Sequence, residues 1–332
     1  MTTAGNAERL RVGLDVGGTK VLGVMVDGDG RVLHSVRVPT RQGCEGVVEA
    51  AALAVTRLVD VAGLPLSAVS AVGMGIPGVV DPATGAVEQA VNLGIDGSVA
   101  LGSLLSTRLA GLPVRADNDL NAAALGAAHL LGQQSGGRAV IDLAFLALGT
   151  GVAAGLVLDG VLRRGHRGAA GEIGHIPVVP GGLLCPCGQR GCLEQYASGS
   201  ALDALWPSPS GVPAPAQLFD AAAAGDPDAI RIRGVFAGAV ASAVRLLVLT
   251  CDVERVVIGG GVSALGAPLL ETVRAALTDQ ASGSPFLRSM NLVSRVGLAP
   301  CGVPVAAIGA SLLAADGPPR RSQSRTRSTV LA

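Results

Sequence analysis

Leu14-Asp15-Val16-Gly17-Gly18-Thr19-Lys20 breaks a β-type run with two glycines, and a second version returns at Leu146-Ala147-Leu148-Gly149-Thr150-Gly151. Each copy continues through an apolar run into an Asp-Gly turn, Asp27-Gly28-Asp29-Gly30 in the first and Asp159-Gly160 in the second. Asp-Gly between apolar runs is a hairpin signal. Each copy therefore predicts strand, glycine turn, strand, Asp-Gly turn, strand. Two copies of one unit predict an α/β protein with two lobes of related fold facing a shared cleft.

Outward from these units, residues 45–63 have helical periodicity and end at a glycine, and 68–78 return as a buried strand. Helices are expected over 101–113, over 119–132 directly after the Asn118-Asp119 junction, over 236–250 and over 267–278. The stretch 206–217 (WPSPSGVPAPAQ) reads as a Pro/Ser-rich loop. The expected division is an N-terminal tail at 1–10, a small lobe over 11–118 completed by a helix at 304–316, a large lobe over 119–303, and a disordered tail over 317–332.

Composition narrows the function class. The chain has 332 residues, is 49% hydrophobic, and balances 25 acidic against 25 basic side chains, so no net field recruits nucleic acid or an anionic membrane. Aromatics at 2% argue against base-stacking platforms. The N-terminus lacks the apolar core of a signal peptide, and no charge-free run of about 18 apolar residues occurs, so a cytoplasmic protein without nucleic-acid or membrane partners is expected. Cys44, Cys251 and Cys301 stand alone in apolar surroundings and read as small core residues.

The glycine turns can present backbone N–H groups to phosphate oxygens, with Thr19 adding a hydroxyl, Asp15 a carboxylate for Mg²⁺, and Lys20, the chain's only lysine, a cation. The turn at Gly149, Thr150 and Gly151 supplies a match from the other lobe. Gly73-Met74-Gly75-Ile76-Pro77-Gly78 has the letters of a dinucleotide fingerprint but runs into a strand and turn where a helix is required; it reads as a cleft wall. At Asn118-Asp119 a helix cap explains the residues, and so does a hydroxyl-binding corner whose carboxylate takes a proton. Gly171-Glu172-Ile173-Gly174-His175 precedes Cys185-Pro186-Cys187, Cys192 and Glu194. Cys-x-Cys is a poor disulfide, whereas one His and three Cys can close a structural, four-coordinate Zn²⁺ site. Gly259-Gly260-Gly261 after a strand can let adenine lie against the backbone, or form an ordinary turn.

Together, GEIGH followed by CPCGQRGCLE, with LDVGGTK, GIPGVVD, DNDLNAAALG, LGTG and IGGGVS in order, resembles the ROK family of sugar kinases and repressors from Arg11 to Ala315. The resemblance implies a two-lobe actin/hexokinase-like (ribonuclease H-like) ATPase fold, Mg-ATP, and phosphoryl transfer to a hexose hydroxyl, usually O6. It implies Asp119 as base, with Gly78, Asn92, Asn118, Glu172, His175 and Glu194 binding sugar, and zinc on His175, Cys185, Cys187 and Cys192. It places Asp15, Gly17, Gly18, Thr19, Lys20, Gly149, Thr150, Gly151, Gly259, Gly260 and Gly261 about the nucleotide. Two departures stand out: Gly94 follows Asn92-Leu93 where glucokinases of the family often carry an aromatic, and the second turn reads GTGVAAG for GTGxGxG. The chain as a whole also resembles kanosamine (3-amino-3-deoxyglucose) kinases of ansamycin pathways, without a discriminating motif. Ordinary glucokinase and N-acetylhexosamine kinase are the alternatives, and a non-catalytic ROK sugar sensor is the alternative of another class. With thirteen residues before Leu14, a DNA-binding helix-turn-helix is not expected. A homodimer or homotetramer is expected.

Overall fold

The computed structural model describes residues 10–81, 84–208 and 211–315. The expected disordered tail at 317–332, and all but Leu10 of the N-terminal tail, lie outside them.

The first sheet contains β1 (Leu10–Val16), β2 (Lys20–Val26), β3 (Val32–Pro39), β4 (Val69–Ile76) and β7 (Val114–Asn118) in the order β3-β2-β1-β4-β7. A two-stranded ribbon of β5 (Val79–Asp81) and β6 (Ala86–Glu88) projects after β4. The second sheet contains β8 (Leu143–Leu148), β9 (Val152–Leu158), β10 (Val161–Leu162), β11 (Arg255–Gly259) and β12 (Val296–Leu298) in the order β10-β9-β8-β11-β12. In both, the first strand of the hairpin unit lies centrally, antiparallel to its hairpin partner and parallel to a strand from later in the chain. The internal repeat read in the sequence is thus a repeat of topology.

Helices of eight residues or more are α1 (Gly43–Ala62), α2 (Leu101–Arg108), α3 (Asp119–Gln134), α4 (Ala214–Ala223), α5 (Pro227–Cys251), α6 (Ala267–Ser282) and α7 (Val305–Leu313). In α1, Val47, Ala51, Val55 and Leu58 make one buried stripe at helical spacing, and the helix ends at Gly63 in the left-handed conformation (φ 66°). α1 covers one face of the first sheet; α7 covers the other.

α3 and α7 form the layer between the sheets. A Cβ at Gly126 would fall on the Val305 carbonyl oxygen of α7, and one at Gly309 on the Ala122 carbonyl oxygen of α3. The helices therefore touch backbone to backbone, and α7 rests likewise on β1 and β4 at Gly13 and Gly73. Gly73 and Gly75 of the fingerprint-like segment make room for helices; β4 ends at Ile76 with no helix opening after it.

α5 is long and apolar enough to cross a membrane by length and composition, with mean hydropathy 1.9, but half of that window is buried. Its Phe236 meets Phe219 of α4 edge-to-face, with ring centroids 6.3 Å apart, locking the two helices over the outer face of the second sheet.

Two expectations are corrected. The Pro/Ser-rich loop is interrupted by α4, because Pro215 lies in the first turn of the helix, where the missing N–H breaks no bond. Of the isolated cysteines, Cys301 is exposed and is no core residue, whereas Cys44 and Cys251 are half-buried and pack against the edges of the two cores.

Candidate active site

The first sheet presents its chemistry at one end of three adjacent strands. Asp15 of β1 pairs in register with Gly75 of β4, which pairs with Asp117 of β7. Gly75 has no side chain because α3 starts directly above it: a Cβ there would lie 3.4 Å from Asp119 Cα and 3.0 Å from Ala122 Cβ. Asp119 is thereby brought beside Asp15.

The helix cap belongs to Asn118. Its Oδ1 accepts from the Leu120 and Asn121 amides at 2.9 and 3.4 Å, and its Nδ2 donates to the Gly78 carbonyl at 3.0 Å. Asp119, the first helical residue, accepts from Leu120 N at 2.9 Å and is half-buried. Burial pushes the Asp119 carboxyl above its ordinary range; backbone donors oppose this and the Glu172 charge adds to it. Asp15 is pushed up to about 6, first by burial and then by Asp119, with Lys20 pulling the other way.

Sequence reasoning missed Asp117, only 1% exposed. Its Oδ1 accepts from Asn118 N and Asn121 Nδ2, both at 2.8 Å, and its Oδ2 accepts from Arg164 Nε at 2.6 Å. Arg164 also brings Nη2 to the same oxygen at 2.6 Å. Arg164 follows β10, so this ion pair joins the two sheets just beneath the Asn118–Asp119 corner. A separation of 47 positions hides it from any local reading. Asn118, Asn121 and Arg164 line a cavity of about 680 Å³ that also has the β5–β6 ribbon and the loop His166-Arg167-Gly168 as walls.

The two glycine turns differ in detail. In the first, Gly17 N donates to Lys20 O at 2.9 Å, so that amide is closed within the turn. Gly18 and Thr19 N–H have no backbone acceptor among the described residues. Asn92 packs on this turn: its carbonyl would lie 3.0 Å from a Gly18 Cβ, and Gln42 bridges Gly18 O and Asn92 O at 3.2 and 3.3 Å. In the second, Gly149 N donates to Gly151 O at 3.0 Å, and the Thr150 and Gly151 amides have no backbone acceptor among the described residues. Glu194 Oε2 takes Val152 N at 2.9 Å and sits against Gly151, where a Cβ would collide with it. Gly260 (φ 84°) packs on the Leu148 carbonyl, which brings the triple glycine to the second turn.

Gly171 and Gly174 lie backbone to backbone on β9, over Ala154 O and Val152 O, and so fix Glu172 and His175 at the edge of the second sheet. The ligand atoms of His175, Cys185, Cys187 and Cys192 all lie within 4.8 Å of one another. Cys185 Sγ is 3.8 Å from His175 Nδ1, and Cys187 Sγ is 3.7 Å from Cys192 Sγ. A tetrahedral zinc with Zn–S of about 2.3 Å has S···S edges of about 3.8 Å. The donor set therefore fits zinc in kind and in spacing.

The ROK family profile matches residues 11–316. The chain belongs to the ROK family. Its α/β architecture is that of the ROK sugar-kinase fold, with two hexokinase-like lobes. A ROK family glucokinase from Streptomyces griseus, solved with glucose and AMPPNP, superposes with a TM-score of 0.74 at 34% identity, covering 93% of this chain and 100% of that one. The glucokinase of Halalkalibacterium halodurans is 33% identical over 84% of this chain and 90% of its own length. The glucokinase of Streptomyces coelicolor is 42% identical over 194 residues; that match spans 58% of this chain and just over half, 57%, of the relative.

Proposed function

We propose that this ROK protein is an ATP-dependent sugar kinase that transfers the γ-phosphoryl group to the 6-hydroxyl of a glucose-type hexose. One observation carries the reading: a half-buried carboxylate, Asp119, with raised proton affinity, stands at a helix start between two turns whose amides have no backbone acceptor among the described residues. The carboxylate accepts the hydroxyl proton while the sugar oxygen forms its bond to the γ-phosphorus and the bond to ADP breaks. The kinase activity of the relatives supports the same assignment.

In this reading Asn118 offers the sugar its remaining Nδ2 hydrogen, and Glu194 its Oε1, since Oε2 is held by Val152 N. Glu172 and the Nε2 side of His175 supply further hydroxyl partners, with Gly78 and Asn92 framing the site. Gly17, Gly18, Thr19 and Lys20 take phosphate oxygens from one side; Gly149, Thr150 and Gly151 take them from the other. Gly259, Gly260 and Gly261 bed the adenine. Mg²⁺ accompanies ATP and neutralises phosphate charge; the mutual repulsion of Asp15 and Asp119 marks where a cation is favoured. Zinc held by His175 Nδ1 and the three thiolates would brace the loop that carries Glu172 and Glu194. The lobe boundary falls between Asn118 and Asp119, with residues 304–316 assigned to the first lobe.

Kanosamine is a candidate substrate because an amino cation suits the carboxylates Glu172 and Glu194; glucose hydroxyls suit them too, and N-acetylhexosamines are the other alternative. The protein works in the cytoplasm as a homodimer or homotetramer, consistent with the exposed apolar residues Ile176, Val178, Val179, Leu183 and Leu184 along the zinc loop.

The test is ADP release with Mg-ATP across glucose, glucosamine, N-acetylglucosamine, mannose and kanosamine, for the wild type and Asp119→Asn. The variant keeps its fold and its sugar binding while turnover falls by about 10³-fold or more. Near-wild-type turnover removes Asp119 as the base. No ADP from any sugar, in zinc-loaded protein, turns the reading to a sugar sensor.

A further inference from the structure

Away from the candidate active site, a cavity of about 290 Å³ lies at the opposite end of the second sheet. Its walls include Arg138, Arg255, Arg274, Arg295, Glu254 and Ser294. Arg255 and Gly259 are the two ends of β11. At about 3.3 Å per residue, the cavity is thus ~13 Å along the strand from the glycines beside the second turn.

Two of these guanidinium groups are balanced by acids. Arg295 reaches Asp252 at 2.8 Å, and Arg138 reaches Glu254 at 3.4 Å across exposed side chains. The other two have no carboxylate partner among the described residues. Arg255 Nη1 donates to Ser294 O at 2.7 Å, and Arg274 Nη2 donates to Val296 O at 3.1 Å. Main-chain carbonyls orient a guanidinium without neutralising it. Arg274 Nε is in addition buried with no hydrogen-bond partner. A buried donor on a charged group is costly to leave unmade, and an arginine offers five N–H donors in a planar fork suited to phosphate. Both uncompensated forks come from separate elements, β11 and α6, and are tethered at the edge of β12.

We propose that this cavity is an anion site, distinct from the nucleotide cleft, that binds a phosphate group either as inorganic phosphate or as a small phosphate ester. Charge selects the ligand class: with Arg295 and Arg138 paired to Asp252 and Glu254, the guanidinium groups of Arg255 and Arg274 leave two uncompensated positive charges. Size limits it, since 290 Å³ is at or just below the small end of ligand pockets and excludes a nucleoside triphosphate. The inference does not rest on the kinase reading, because none of its residues belongs to the candidate active site.

Equilibrium dialysis with radiolabelled inorganic phosphate, at fixed ionic strength and with saturating glucose and AMPPNP filling the cleft, tests it. The wild type retains one phosphate per chain. Arg255→Gln, an exposed position whose loss leaves the fold intact by circular dichroism, weakens retention at least tenfold, and Arg274→Gln does so at least equally. Kinase turnover of both variants stays at the wild-type level. Displacement of the label at lower concentration by glucose 6-phosphate than by unlabelled phosphate assigns an ester, and the reverse order assigns inorganic phosphate. No retained phosphate in the wild type, or equal retention in Arg255→Gln, overturns the site.

Discussion

The two sheets are built to one plan and carry different chemistry. Asp15 of β1 faces Gly75 on the neighbouring parallel strand, and at the matching place in the second sheet Ala147 faces Gly259. The turn of the first unit places four residues between the paired Val16 and Val21; the second places three between Leu148 and Val152. Lys20, the chain's only lysine, ends the longer turn. So the first lobe has a carboxylate and an ammonium at its turn, and the second has neither. Its turn is flanked instead by Glu194, brought in from the loop that carries the cysteine cluster. The backbone plan is repeated, and the charge at the turn is not.

The largest effect expected from erasing that difference is in Asp15→Ala, which gives the first sheet the residue of the second. Turnover falls by about 10²-fold or more in the ADP assay, because the carboxylate that would favour the ATP-bound Mg²⁺ is lost. Stability moves the other way. Asp15 has its carboxyl raised from 3.8 to about 6 in the fold, so the native state holds more protons than the unfolded chain between those values. Wild-type stability therefore declines as pH rises through that window, and the variant does not share the decline. Urea unfolding finds the variant more stable by about 2 kcal/mol at pH 8, with no difference near pH 3. An equal difference at both would mean that Asp15 is not desolvated.

Next in size is the joint between the lobes. Asp117→Ala strands Arg164, Asn121 and the Asn118 amide together, and costs about 3 kcal/mol in urea unfolding. A cost under 1 kcal/mol would show that the pair is not holding the sheets. Chelation tests the asymmetry from the other side, since among the described residues the one His/Cys cluster able to hold a metal lies in the second lobe. Removing zinc, or Cys187→Ser, lowers the Tm by about 2–4 °C for each kcal/mol lost, and hydrogen exchange rises around residues 175–194 before it rises in β1–β3. Uniform exchange, or active protein without zinc, contradicts this. The smallest expected change is in Lys20→Met, which raises the KM for Mg-ATP about tenfold with kcat nearly unchanged.

What was legible in the sequence is what neighbouring residues decide. The hairpin units, the cap at Asn118-Asp119 and the cysteine cluster are short-range patterns, and each forms where it was read. The fingerprint-like Gly73–Gly78 segment was legible once its missing helix was noticed; the reason for its glycines was not, because it lies in α3 and α7. Asp117 and Arg164 were invisible for the same reason. An aspartate before Asn-Asp looks like part of a cap until the fold delivers an arginine from the other sheet. α4 was hidden by Pro215, which reads as a breaker unless the helix start is known.

The α7 helix sets an order on the making of this protein. It is the last of the elements described above to leave the ribosome, yet it supplies the backbone surface on which Gly13, Gly73 and Gly126 rest. At about 5–20 residues per second, the interval between completion of β4 and emergence of α7 is roughly 10–45 s. During that time one apolar face of the first sheet has no cover. A nascent chain stalled before Val305 would therefore lack the backbone surface on which Gly13 and Gly73 close, and that part of the first sheet would stay open to solvent.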